Sequence, residues 1–172
     1  RFMWIWDSAF HSMAFAEYNL DMAKDCIRSI LSVQEDDGFI SHMSGVYGGF
    51  SNVTQPQVLS WAVWNIYKKD ENTEFLREVA PKLKKFLLWT WDMENRDSAG
   101  DGLLEWFTEP NYTECKCGES GLDNSPRFDF EIEMDAIDFS TYLCNDARYL
   151  AYIYEVLGDT ENADFFRNVH KD

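Results

Sequence analysis

Apolar residues recur at helical spacing along this chain, in stretches that come in pairs. Phe10, Met13, Ala14 and Tyr18 mark one side of a helix over 8–18. Ala23, Ile27, Ile30 and Leu31, with Lys24 and Arg28 outside, mark a second over 21–33. Val58, Leu59, Ala62, Val63, Ile66 and Tyr67 predict a helix over 57–68 that Trp61 and Trp64 make apolar on most sides. A fourth, over 73–91, carries Phe75, Leu76, Val79, Ala80, Leu83, Phe86 and Leu87. Pro81 is expected to kink or split it. Phe139, Tyr142, Leu143, Leu150, Ile153, Tyr154 and Leu157 predict a helix over 138–157 ending at Gly158. Ala163, Phe166 and Val169 follow on a last one from 160. Asp7 or Ser8, Thr54 or Gln55 ahead of Pro56, Asn72 or Thr73, and Asp138 are the candidate N-caps.

Within each pair the connection is short, and between pairs it is long: 34–54 and about 95–135. The first helix of each pair is rich in aromatic and small residues, and the second has a cleaner polar face. That arrangement predicts an all-α fold, an inner and an outer ring of helices forming an α/α toroid. Connections then alternate ends, so the long loops share one rim. Trp6-Asp7, Thr54-Gln55-Pro56 and Asp123-Asn124 each sit just before an inner helix and are carried to that rim. Long loops in a compact domain usually have a job. A plain helical repeat would alternate in the same way, but would not need polar motifs always at one end.

Composition narrows the partners. The formal net charge of -16 disfavours nucleic acid and anionic membranes, which are bound through Lys and Arg, and suits a neutral substrate. No apolar run approaches membrane-spanning length; the longest, Phe86 to Trp91, already contains Thr90. A 45 % hydrophobic, 16 % aromatic chain can bury a real core in its 172 residues. Opening on Arg1 within an aromatic motif and closing inside a helix, it reads as one domain, 1–172, truncated at both ends.

The remaining chemistry is sparse. Cys26 and Cys144 fall on apolar helix positions as buried thiols, and Cys115-x-Cys117 lacks a second pair or a nearby His, so no zinc site is expected. Asn52-Val-Thr54 and Asn111-Tyr-Thr113 fit the glycosylation triplet, but a glycan on Asn52 would obstruct the rim, and a reduced, cytoplasmic setting is favoured. Asp97-Ser98-Ala99-Gly100-Asp101-Gly102 has a calcium-loop composition, with Glu105 as a further donor. Ala99 replaces an expected oxygen ligand, which favours a plain Asx/Gly turn and no cofactor. Residues 103–107 read as a short strand. His11, one turn after Asp7, reads as a packed or capping residue. His42, in the glycine-rich loop, has no assigned role.

The densest polar stretch is Glu119-Ser120-Gly121-Leu122-Asp123-Asn124-Ser125-Pro126-Arg127-Phe128, a turn by composition. It resembles the catalytic-acid signature of trehalase-like and family 63 glycoside hydrolases, although trehalases usually carry an aromatic where Leu122 stands. Trp6-Asp7-Ser8-x-Phe10 resembles the aromatic motif of trehalase-like enzymes. Thr54-Gln55-Pro56-x-Val58 resembles the family 63 branch that includes mannosylglycerate and glucosylglycerate hydrolases. Three motifs in order span nearly the whole chain. The resemblance implies an (α/α)6 barrel, of which this chain supplies about half.

It further implies an inverting α-glycosidase acting on a small carbohydrate, an α-glucoside or α-mannoside. Two carboxyl groups would flank the glycosidic bond about 6.5–9.5 Å apart, leaving room for water. Asp123 matches the proton donor, a role that calls for burial or neighbouring negative charge, with Glu119 and Asp7 as candidate sources. Asp7 and Trp6 would hold the sugar, and Gln55 would hydrogen-bond sugar or aglycone. Arg127 would hold a substrate carboxylate or, preferably, anchor the loop through Glu119. No motif after Asp123 matches the general base. Glu131, Glu133 and Asp135 read as a solvated run, so the chain alone is expected to be inactive. The rivals are a trehalase or other α/α-toroid glycosidase and, from another class, a noncatalytic carbohydrate-binding α/α repeat protein.

Overall fold

The computed structural model describes residues 2–49, 51–107, 116–123, 125–129 and 135–169. Glu131, Glu133, Cys115, Asn124 and the Asn111 triplet lie outside the described residues. Three helical hairpins form an arc of an α/α toroid. They pair α1 (Ile5–Phe15) with α2 (Leu20–Ser32), α3 (Leu59–Asp70) with α4 (Thr73–Thr90), and α6 (Ile137–Leu157) with α7 (Thr160–Val169). A short α5 (Met93–Arg96) follows α4. On the inside of the arc α1 packs on α3 and α3 on α6; α2, α4 and α7 back them from outside.

The amphipathic stripes explain the packing. The α2 residues Ala23, Ile27, Ile30 and Leu31 are buried, as are Phe75, Leu76, Val79, Leu83, Phe86 and Leu87 of α4. Burying each large apolar side chain contributes about 1.5–3 kcal/mol. The outer helices are also tied by charge: Arg28 of α2 grips both oxygens of Glu78 of α4 at 2.8 Å. That contact is exposed and adds little. Lys24, nearly buried on α2, pairs with Asp70 at the end of α3.

Several helix starts differ from the sequence pattern, and two of them are capped from elsewhere in the fold: Gln55 accepts Trp6 N–H of α1, and Asp146 serves α3. Trp4 passes straight from strand to helix, so α1 begins at Ile5. Asp7 lies in its first turn, where it favours the helix dipole rather than capping. Helix α3 begins only at Leu59, and Thr54 and Gln55 sit in a buried segment without regular structure ahead of it. No side chain of its own caps α3. Asp146, reaching across from α6, accepts the Trp61 N–H at 3.0 Å. Asp138 likewise falls inside the first turn of α6, whose N-cap is Ala136. Asn72 caps α4 as its sequence suggests, accepting from Phe75 N at 3.0 Å. Helix α4 runs unbroken through Pro81, which is exposed while Val79, Ala80 and Leu83 around it are anchored in the core.

The first long loop is not irregular throughout. Met43–Gly45 (β2) pairs antiparallel with Met3–Trp4 (β1) and with Gly48–Gly49 (β3), placing Met3 opposite Ser44 and Trp4 opposite Met43. This small sheet fixes the entry to α1. The strand expected over 103–107 is a single bridge, Glu105 with Asp135. Cys26 and Cys144 are half-buried rather than enclosed. Among the described residues no helix is long and apolar enough to cross a membrane.

Candidate active site

The inner helices α1 and α3 start at the same rim, and the 118–128 turn folds over it. Trp4, Trp6, Asp7, Gln55, Gly121 and Asp123 line one open polar cleft of about 280 Å³ there. Residues more than a hundred positions apart are thus brought together by tertiary structure. Gln55 is buried, and its side-chain oxygen accepts the Trp6 N–H at 3.1 Å. That bond splints the two motifs from beneath and leaves the amide nitrogen as a donor. Asp7 and Asp123 are exposed carboxylates on the cleft.

Gly121 explains how the turn approaches so closely. Its φ is +68°, and a Cβ there would fall 2.2 Å from Cζ2 of the Trp6 ring. Only glycine meets both demands. The Asp123 carbonyl accepts Lys116 N–H at 3.0 Å, which closes the turn on itself.

Glu119 and Arg127 lie outside the cleft lining. Glu119 is wholly buried. Arg96 of α5 grips it in a fork, both bonds at 2.9 Å. Glu119 also accepts Phe107 N–H at 2.9 Å and Thr54 N–H at 3.4 Å. The anchoring contact expected between Arg127 and Glu119 is therefore absent, because Arg96 occupies that carboxylate. Arg127 instead forks onto Asp138 at the start of α6, at 2.7 and 3.0 Å. Its guanidinium is committed there. Partial burial works against the Asp138 charge, but hydrogen bonds and charge from Arg127, with Trp106 Nε1–H and Phe139 N–H, outweigh it. The carboxyl is held below its usual range.

Neighbouring features fall into place around this site. The Asp97 oxygens accept the N–H groups of Gly100, Asp101 and Gly102 at 2.7–3.0 Å, and Glu105 accepts both N–H and hydroxyl of Ser98. Those are the bonds of an Asx/Gly turn. Among the described residues no group of three or more His, Cys, Asp or Glu is arranged to hold a metal ion. Asp135 faces this turn. Desolvation and then the charges of Asp101, Glu105 and Asp97 raise its pKa. His42 packs edge-on against Trp4 and its Nδ1 meets the Ser51 hydroxyl, so it braces the cleft from the sheet side. His11 is exposed on α1.

A larger concavity of about 560 Å³ opens elsewhere, between α6 and the 91–104 segment. Its walls include Trp91, Leu103, Leu104, Ile137, Leu143 and Val169. Among the described residues its lining holds no carboxylate, histidine or cation with which to move a proton. The smaller cleft holds the acid/base groups and is the candidate site. Sequence reasoning missed Trp4, Arg96 and Gly121 as parts of it. Gly121 stood within a recognised motif, but Arg96 carried no signal beyond its place between Trp91 and Phe107.

A family model, the mannosylglycerate hydrolase MGH1-like glycoside hydrolase domain, matches residues 1–171. Mannosylglycerate hydrolase MGH1 of Selaginella moellendorffii is 27 % identical over 157 residues, covering 80 % of this chain and 30 % of its own length. The mannosylglycerate hydrolase of Thermus thermophilus is 27 % identical over 152 residues, covering 74 % and 34 %. A GH63 mannosylglycerate hydrolase from Thermus thermophilus, solved in complex with glucose, superposes with a TM-score of 0.78 at 20 % identity. That match covers 99 % of this chain and 55 % of that one. The structure with Tris and D-glycerate gives 0.77 at 19 % identity, covering 99 % and 57 %. The chain thus spans about a third of the curated relatives and a little over half of the solved structures it matches.

Proposed function

Since this chain belongs to the mannosylglycerate hydrolase MGH1-like glycoside hydrolase domain family, we propose that it supplies the proton-donor half of an inverting α-glycosidase site. Asp123 is the general acid. The observation that carries this reading is the shared cleft: Asp123 faces Trp6, Asp7 and Gln55 across a space of sugar size.

In this mechanism the ring of Trp6 packs the apolar face of the sugar whose bond is cut, and Asp7 accepts hydrogen bonds from its hydroxyls. The free Gln55 amide nitrogen donates to sugar or aglycone. Asp123 protonates the departing oxygen as the C–O bond breaks. A water on the opposite face of the sugar gives up its proton to a second carboxylate, outside this chain, about 6.5–9.5 Å from the acid. The substrate is an α-mannoside or α-glucoside with a small aglycone such as glycerate. Arg127, already forked onto Asp138, and Glu119, buried beneath the turn, set the position of Asp123 rather than touch sugar.

The test uses the full-length protein with mannosylglycerate and glucosylglycerate as substrates. Asp123→Asn is expected to lower kcat by about 10²–10⁴-fold with sugar binding retained. The parent should release the inverted anomer, seen by NMR. An unchanged rate removes Asp123 as the acid. The 172-residue chain alone should show no turnover; turnover by it would overturn the half-site reading.

A further inference from the structure

Beneath the cleft, four segments distant in sequence meet at one carboxylate. Glu119 has no exposure and Arg96 1 %. The Arg96 fork takes both oxygens of Glu119, one of which also receives Phe107 N–H and the other Thr54 N–H. The guanidinium lies 4.2 Å from the Phe107 ring centroid, 5.0 Å from Phe139 and 5.3 Å from Trp89. Four protein donors satisfy the carboxylate without help from the cleft surface.

The connections outward matter more than the pair itself. Thr54 precedes Gln55, whose oxygen holds Trp6 N–H. Glu119 opens the turn that brings Gly121 under the Trp6 ring and Asp123 to the cleft. The Glu119 carboxylate is thus tied to both walls of the cleft, to Gln55 and Trp6 through Thr54 and to Asp123 through the turn. We infer that Arg96 is a positioning residue for the reaction, setting through Glu119 where Asp123 stands relative to the sugar-holding Gln55 and Trp6. This rests on the reading of Asp123 as the acid.

A lysine at 96 keeps the charge but not the planar fork, so it can satisfy one oxygen and not hold the carboxylate plane. Misplacing a proton donor harms substrates whose leaving group needs the proton. It spares those whose leaving group departs unaided. That difference separates positioning from mere support, which would affect both alike.

The experiment compares the full-length parent with its Arg96→Lys and Asp123→Asn variants, at a temperature where circular dichroism shows each folded. The substrates are mannosylglycerate or glucosylglycerate, whichever the parent hydrolyses, and the matching α-glycosyl fluoride. Arg96→Lys is expected to lower kcat on the glycerate glycoside by about 10–100-fold while changing kcat on the fluoride less than about 3-fold. Asp123→Asn should show the same contrast, more strongly. If Arg96→Lys lowers both substrates equally, or neither, Arg96 is only structural and the inference fails. If Asp123→Asn lacks the contrast, it is the assignment of the acid that fails. Should Arg96→Lys not fold, Trp89→Leu uncovers one face of the guanidinium and leaves the ion pair in place. It is expected to give the same selective loss, about 3-fold, and an equal effect on both substrates would sink the inference.

Discussion

The turn that carries Asp123 is bolted at both ends by an arginine fork on a carboxylate, but the two bolts sit in different media. Arg96–Glu119 is sealed from solvent beneath the cleft, and its carboxylate is shared with two backbone N–H groups. Arg127–Asp138 keeps roughly a third of each side chain exposed, with Trp106 Nε1–H as a further donor. The geometry is nearly the same and the physics is not. A buried fork is a constraint, because unmaking it strands a charge without water. A half-exposed fork is a preference that water and salt can replace. The buried bolt fixes the side of the turn that faces Gln55 and Trp6. The looser one fixes the side that leads into α6.

The largest expected effect breaks the buried bolt. Arg96→Met leaves Glu119 without its cation and is expected to cost about 3–5 kcal/mol in urea unfolding. A loss no greater than that of an exposed pair would erase the distinction between the two bolts.

Asp146 sharpens the same contrast, as a buried carboxylate with no arginine fork. Burial pushes its pKa up to about 6. The Trp61 N–H hydrogen bond opposes this, as does Ser60, whose hydroxyl stops short of a well-formed bond but lies close enough to favour the charge. The raised value means that stability is fullest below the ordinary carboxylate pKa and declines as pH rises through about 6. Asp146→Asn cannot ionise. Its stability relative to the parent should therefore improve, on the order of 3 kcal/mol, between about pH 4 and about pH 7. A pH-independent difference would show that Asp146 is not the strained group.

Gly121→Ala perturbs the stretch between the bolts. The left-handed backbone alone costs about 1–2 kcal/mol, and the new methyl group must displace the Trp6 ring. Substrate KM in the full-length protein should rise together with the loss of stability. A stability loss with KM unchanged would mean that Trp6 does not hold sugar.

The smallest effect belongs to the exposed bolt. Arg127→Ala is expected to cost at most about 1 kcal/mol, and less in high salt. Because the Asp138 carboxyl is held below its usual range, the stabilisation is present above the ordinary carboxylate pKa. It is lost as pH falls through the lowered value, opposite in sign to Asp146. Salt-independent unfolding of parent and variant alike would place this pair among the constraints.

How far the sequence reached differs between fold and site. The hairpins were legible because a helix repeats every 3.6 residues and its buried stripe writes itself into the chain: Ala23, Ile27, Ile30 and Leu31 on α2, for example. Asn72 and Gly158 were legible as caps because each acts on its own helix. The starts of α1, α3 and α6 were not: a short sheet leads into α1, Asp146 caps α3 from the neighbouring hairpin, and α6 begins after Ala136 with no side-chain cap. Arg127 was paired with the wrong carboxylate for a similar reason. Sequence shows which charges are near along the chain, not which arginine wins a buried acid.

By itself the sequence determined the pairing of helices, the alternation that sends Trp6-Asp7, Gln55 and Asp123 toward one rim, and a net charge of -16. Local periodicity and composition suffice for those, since they depend on neighbours within a few turns. Only the tertiary structure decided that Arg96, not Arg127, seats Glu119, that Gly121 lies against the Trp6 ring, and that Asp146 caps a helix of the neighbouring hairpin. Such choices turn on which groups lose water together, and that is settled by packing across the whole arc rather than by any stretch of it.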